Sequence, residues 1–575
     1  MYPQIAKRAS GIASILSLLV GTIGPQLQAQ QSASEAPPPT IRVSTRLVIV
    51  DVVVTDKHGA PITGLHPEDF NVQEKGKTQK VAFFTPPSPG SQNIPPTLGP
   101  GIYTNRPEFR SPGGPVTVLL IDAANTPFRD QAYSRQQMLK YVKEQLKPGQ
   151  RMAIFALTNS LRVLQDFTSD PQLLQKALEH YKPQEPILAA GTAPPMITDT
   201  NLGIEMAENE VRSFGSIQLA YALDRRVETT LDALRSLSRI LAGIPGRKNI
   251  VWLTAAFPFE LIPEDRNISE AELAMTTHGV QQRSLGTLAS GSVAETERQS
   301  HTQEIREAAA RLSSAQVALY PVDARGLMSG MEFLPEDSAN RQPLNTSERA
   351  TIRMSDAAAS QETMRELAAE TGGKAYINQN EIKDGVALAL ADDSASYTLG
   401  YYPEDKKWDG KYRSIKVKVN RDGVEVRSRR GYYAIDPSQE KDKKPEQEVA
   451  AALRDNAPDT SITFSAQIKQ PDKAKVGVDF LLDAHTVSAE DASGGGKKLN
   501  VAFYTATFGA DGRMLGSQSQ KVDQTFDAAT YAKLLQQGML LHMDVTPPTG
   551  SVQVRLAVQD NRTGFVGTIV APLAH

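Results

Sequence analysis

Residues 116–122 read VTVLLID, an unbroken apolar run closed by Asp122. A segment with no polar face reads as a strand buried on both sides. Working outward, residues 131–146 space Met138, Leu139, Val142 and Leu146 as a helix does, and stop at Lys147-Pro148-Gly149. RMAIFAL (151–157) is a second strand and 161–164 a short third. A helix follows over 171–181 with Pro171 in its first turn. The alternation continues with a helix over 229–241, the strand NIVWLT (249–254), a helix over 303–313 and the strand QVALYPVD (316–323). A helix over 362–370 ends at Thr371-Gly372-Gly373, before a last strand, KAYIN (374–378). Strands alternating with helices predict an α/β domain over 116–394, its mostly parallel sheet covered by helices on both faces.

On either side the period changes. Residues 41–87 and 395–435 alternate in twos, with turns at Gly59, Asp409-Gly410 and Asp422-Gly423. Each segment is short for an independent sandwich; pairing the two would give one module with the α/β domain inserted in it. Residues 88–115 are rich in Pro and Gly and read as a linker. Residues 436–458 are charged and read as a second linker, partly helical at 449–453. Residues 459–575 read as a C-terminal β-sandwich with one helical piece over 527–538.

The chain has 575 residues, a net charge of −3 and no cysteine. That length suggests three or four domains. The charge balance predicts no nucleic-acid partner, and the missing thiols exclude disulfides and thiolate metal sites. Residues 1–29 have the form of a signal peptide: Lys7 and Arg8, an apolar stretch over 11–23, and Leu27-Gln28-Ala29 at the cleavage point. Residues 30–40 are a Pro-rich linker. No later stretch reaches ~18 apolar residues, so the exported chain is expected in the periplasm or outside the cell with no membrane span.

The stretches VTVLLIDAANTP, TTLDALRSLSRILAGIPGRKNIVWLT, VALYPVDARGL, ELAAETGGKAY and SYTLGYYP…RSIKVKV…RRGYYA together resemble the von Willebrand factor type A-related proteins abundant in Acidobacteria. The resemblance covers most of residues 41–435. It implies a central Rossmann-type sheet, and a metal-ion-dependent adhesion site at the sheet's carboxyl edge built on Asp-x-Ser-x-Ser, a Thr from a second loop and a later Asp. Carried over, Asp122, Thr126 and Thr229 keep ligand oxygens, whereas Ala124 and Ala255 stand where a Ser and an Asp belong. Asn125, Asp130 and Asp224 are the candidate substitutes. The implied site is degenerate, and Mg²⁺ or Ca²⁺ is the only cofactor it would take. In the alternative reading Asp122 is held by backbone N–H groups and Thr229 is a helix N-cap.

Three long segments, 182–226, 257–301 and 324–361, interrupt the alternation and should gather at the carboxyl edge. Helical pieces are expected in them over 269–278 and 294–306. With Asn125, Pro127, Ala255, Phe257, Asp323 and Arg325 they would form a binding face. No histidine pair has metal-ligand spacing, no GxSxG is present, and Gly243-Ile-Pro-Gly-Arg-Lys precedes a strand, unlike a phosphate loop. Tyr401, Tyr402, Trp408, Tyr432 and Tyr433 form an aromatic group suited to core packing or, alternatively, to stacking on sugars. No catalytic residues are expected. The function that follows is adhesion or binding to a protein or envelope polymer; the alternative is a metal-independent assembly scaffold, and a less favoured third is an enzyme with an unfamiliar site.

Overall fold

A computed structural model describes residues 47–573 apart from 88–97, 111–114, 148, 185–224, 258–306, 327–345, 380, 437, 439–444, 456 and 471–474. The protein is mixed α/β with several sheets. In the central five-stranded sheet the order is Val317–Asp323, Lys248–Thr254, Val116–Asp122, Arg151–Leu157, Leu161–Thr168. The first four strands are parallel. Alternate residues explain why these strands lack a polar face. Val118, Leu120, Phe155, Ile250 and Trp252 pack with Leu231, Leu234 and Leu237 of the helix over 225–242. Leu119, Ile121, Ile154, Val251 and Leu253 pack with Met138 and Tyr141 of the helix Phe128–Glu144 and with Leu174 and Leu178 of the helix Pro171–His180.

Leu161–Thr168 is longer than the short strand expected and runs antiparallel to Arg151–Leu157. Only residues 158–160 connect the two, enough for a hairpin and far too few for a parallel crossover. Residues 374–378, expected as a strand, contribute a single bridge, Val322 to Tyr376. Gly373 lies so close under the Leu319 carbonyl that an added Cβ would sit 1.9 Å from the oxygen, and Asn378 turns into the left-handed region at φ 53°. The helix expected over 362–370 spans Thr346–Thr371, well into the segment 324–361.

Residues 48–85 and 396–433 build one sandwich. Val48–Asp56 pairs on one side with Ser396–Tyr401 and on the other with Val424–Ser428. Tyr412–Val419 pairs with Phe70–Glu74 in the opposing sheet. Val50, Val52, Val72, Tyr397 and Leu399 fill the core between them.

The C-terminal sandwich has a strand from far upstream. Ile102–Thr104 pairs with Phe464–Lys469. The reading of 88–115 as a linker is corrected accordingly. Asn105 is fully buried, donates to the carbonyls of Asp459 and Ile462 at 2.7 Å each, and accepts from the Phe464 N–H at 2.8 Å. Three such bonds anchor a strand too short to show a period. Within 436–458, Pro445–Ala452 is a helix that buries Val449 and Ala452 against Phe508 and Ala557.

Both β modules join the central domain near the amino ends of its strands. Arg239 bonds Asp459 at 3.1 Å, Asp455 at 2.7 Å and Glu448 at 3.3 Å. Gly243 lies so near Thr460 that an added Cβ would be 2.1 Å from the Thr460 carbonyl oxygen. Toward the other module, Tyr320 donates to Asp392 at 2.8 Å and Arg427 grips the same carboxylate.

Lys248 opens its strand fully buried, with Nζ donating to the Ile244 carbonyl at 2.7 Å. Burial pulls its pKa down from 10.5 to about 7, against the pull of Asp51. The unfolded chain therefore binds the proton more tightly, and this residue's burden on stability grows as pH falls from 10.5 to about 7. Lys248→Met should remove that burden, on the order of a few kcal/mol, and flatten the alkaline limb of stability against pH in urea titrations.

Candidate functional site

Asp122 ends the middle strand of the central sheet and is fully buried. Asn125 turns back over it. The Asn125 backbone N–H donates to Asp122 Oδ1 at 3.0 Å, and its Nδ2 donates to Oδ1 at 3.2 Å and Oδ2 at 2.9 Å. Trp252 Nε1, from the neighbouring strand, donates to Oδ2 at 3.1 Å. Burial pushes the Asp122 carboxyl above the usual range, while donors from Asn125, Thr254 and Trp252 pull it back.

A second layer holds Asn125. Its Oδ1 accepts from Arg226 Nε at 3.0 Å, and its Nδ2 reaches Thr230 Oγ1 at 3.1 Å. Arg226 is buried, which works against its charge, and Asp122 supports that charge. The Thr126 hydroxyl accepts from the Ala255 N–H at 3.1 Å, tying the Asp122 loop to the end of Lys248–Thr254. The Phe257 ring stands edge-on to Trp252 with centroids 4.8 Å apart.

The hydroxyl facing Asn125 belongs to Thr230, one residue beyond Thr229. The helix is already formed at 225, so Thr229 lies inside it and is not an N-cap. Adjacent residues on a helix point about 100° apart. Asp130 is in the first turn of Phe128–Glu144, and Asp224 lies outside the described residues.

This donor set does not fit a Mg²⁺ or Ca²⁺ ion. Such an ion needs converging oxygens. Here both Asp122 oxygens accept N–H groups, the Thr126 oxygen accepts a backbone N–H, Ala124 and Ala255 offer no side-chain oxygen, and the Arg226 guanidinium supplies positive charge beside Asn125. Among the described residues no cluster of three His, Cys, Asp or Glu could hold a metal.

Asp323, closing the outer strand, is satisfied in a different way. Arg325 bonds it through Nε at 2.8 Å and Nη2 at 2.7 Å, and Gln361 donates at 3.1 Å. Asn125, Ala255, Phe257 and Asp323 are thus buried, and of the expected face only Pro127 and the half-buried Arg325 reach the surface. Beside Pro127 stands Phe128, 48% exposed at the start of its helix. Sequence reasoning passed over Phe128; a bulky apolar residue directly after Pro at a helix start was its only signal.

The described chain leaves this edge at three places. Gln184 exchanges bonds with Gln131, whose Nε2 also reaches the Thr126 carbonyl. Phe257 packs on Trp252, and Gly326 follows the Asp323 turn. The helical pieces expected over 269–278 and 294–306 lie outside the described residues, and the helix expected over 303–313 is described over 307–314. In the aromatic group, Tyr401 and Tyr432 are buried and both donate to Glu74, at 2.7 and 3.1 Å, so they serve the sandwich core.

No protein-family model matches the chain, and no curated protein matches it. Solved structures are similar at low identity. The BatB protein of Bacteroides thetaiotaomicron is 13% identical, covering 49% of this chain and 99% of its own, at a TM-score of 0.23. A von Willebrand factor type A protein from Catenulispora acidiphila is 10% identical over 80% of this chain and 65% of its own, at 0.21. The pilus adhesin SpaC of Lactobacillus rhamnosus GG is 9% identical over 89% and 58%, at 0.23. At these TM-scores the likenesses carry no argument about function. No described helix is long and apolar enough to cross a membrane.

Proposed function

We propose that this chain is an exported, non-enzymatic binding protein that engages a protein or envelope partner through the carboxyl edge of its central domain, without a metal ion. One observation carries the reading. The exposed pair Pro127–Phe128 stands at that edge, above a sealed Asp122 network, while the contacts to both β modules lie toward the amino ends of the strands. A large apolar side chain held rigidly on a helix start loses little freedom on binding, which suits an interface anchor. The two edge carboxylates are already paired, so neither is free for acid–base chemistry or for a cation.

The test is retention of cell-envelope material on the immobilised full chain, with a photo-crosslinker at position 128. A single crosslinked species is expected in EDTA, with retention roughly tenfold or more weaker for Phe128→Asp. Retention that requires Mg²⁺ or Ca²⁺ and vanishes in Asp122→Ala would restore the metal-dependent reading. Retention unchanged by Phe128→Asp would move the interface elsewhere.

A further inference from the structure

The C-terminal sandwich carries a strand whose outer side no described strand uses. Met514–Phe526 spans 13 residues and, among the described residues, pairs only with Lys497–Gly509. Most of its side chains are exposed on both faces, and Val522 and Phe526 alone dip toward the core as partly buried hydrophobics. Edge strands normally carry a proline, a mid-strand bulge, a covering element or an unmatched charge, Lys above all, that prevents further pairing; here the one lysine, Lys521, is matched by Asp523. Residues 514–526 contain no proline, and the one register shift falls at their start, opposite Thr507 and Phe508. Among the described residues no strand pairs with the outer side.

The direction of the free groups follows from the neighbouring strand. The Asn500 carbonyl accepts from Asn561 N–H at 3.0 Å, so the Asn500 peptide groups face away from Met514–Phe526. Asn500 stands opposite Asp523. In an antiparallel ladder such a pair turns its N–H and C=O groups outward on both strands. Asp523 therefore presents its backbone to the open side, and by alternation so do Ser517, Ser519, Lys521 and Thr525.

We propose that this edge is the contact between two copies of the chain, paired antiparallel about a two-fold axis through Val522. That register places Lys521 opposite the partner's Asp523, Ser519 opposite the partner's Thr525, and Gln520 opposite the partner's Gln524. Outward-facing residues meet outward-facing residues in every hydrogen-bonded pair, giving ~8 new backbone bonds. Val522 meets the partner's Val522 across the axis. The strand is thus complementary to itself in charge as well as in backbone direction, which an isologous contact requires. Within one chain Asp523 is held by Lys498 at 3.2 Å and by Lys521 at 3.8 Å, so the charges are in place before association.

Sedimentation of the full chain across a concentration series tests this. A reversible dimer is expected. Ser519→Pro removes an outward N–H and leaves the inner ladder intact, so it should give a monomer that melts as the wild type does at concentrations too low for dimerisation. Lys521→Glu should weaken the dimer roughly tenfold or more, and adding Asp523→Lys should restore it. A wild-type chain that stays monomeric overturns the proposal, as does a dimer that survives Ser519→Pro or a double variant that stays dissociated.

Discussion

Arg239→Met should cost about 3–5 kcal/mol at neutral pH, because it leaves a buried carboxylate without its counter-charge. Asp459 is fully buried, Arg239 Nε is 3.1 Å from its Oδ2, and Asp455 and Glu448 add to the negative charge gathered there. Burial already holds the Asp459 carboxyl well above its ordinary value of 3.8, with Arg239 opposing the shift. Without Arg239 the folded carboxyl rises further. A group raised in the folded state contributes stability below its unfolded value and loses it as pH rises through the folded one. The deficit of Arg239→Met should therefore shrink toward pH ~4 and widen toward neutrality. Urea titrations of wild type and variant across that range check both sign and size. Because Arg239 joins the helix over 225–242 to the C-terminal sandwich, limited proteolysis of the variant should release the sandwich first.

Asn125→Ala should be nearly as severe, again about 3–5 kcal/mol, and its reasons are those of the sealed edge. The side chain supplies two of the N–H contacts to Asp122 and accepts the Arg226 guanidinium. Its loss leaves the buried carboxylate with only the residue-125 backbone N–H and Trp252 Nε1, and takes from the buried Arg226 guanidinium its Asn125 acceptor. Asp122→Ala alone should cost less, since Asn125 keeps Arg226 and Thr230. The double variant should fall short of the sum by ~1–3 kcal/mol, the signature of groups acting as a unit. Additive losses would show that Asn125 and Asp122 do not depend on one another.

The central strands were legible because VTVLLID and NIVWLT hold apolar runs, Val118–Ile121 and Ile250–Leu253, with no polar alternation, as burial on both faces requires. The direction of Leu161–Thr168 depended on the three-residue link before it, not on the strand's own residues. Thr229 and Thr230 are chemically alike, and choosing between them required the phase of their helix. Ile102–Thr104 has too few residues to display any period, and it is held by Asn105, whose buried bonds leave no local mark. Phe128 escaped notice because exposure is a property of the folded surface, and a lone Phe in a sequence looks like core.

Val53 lies beside Ser396 and Val48 beside Tyr401 in one continuous ladder, although nearly the whole α/β domain separates them along the chain. Emerging amino end first, Val48–Asp56 must wait unpaired until Ser396–Tyr401 appears, since its other neighbour, Val424–Ser428, comes later still. The intervening domain has all four parallel strands before that moment and can condense first, bringing the two halves of the ladder near each other and shortening the loop that must close. Maturation of this chain should therefore run from the inside outward, with the earliest-made strand among the last to find its mate.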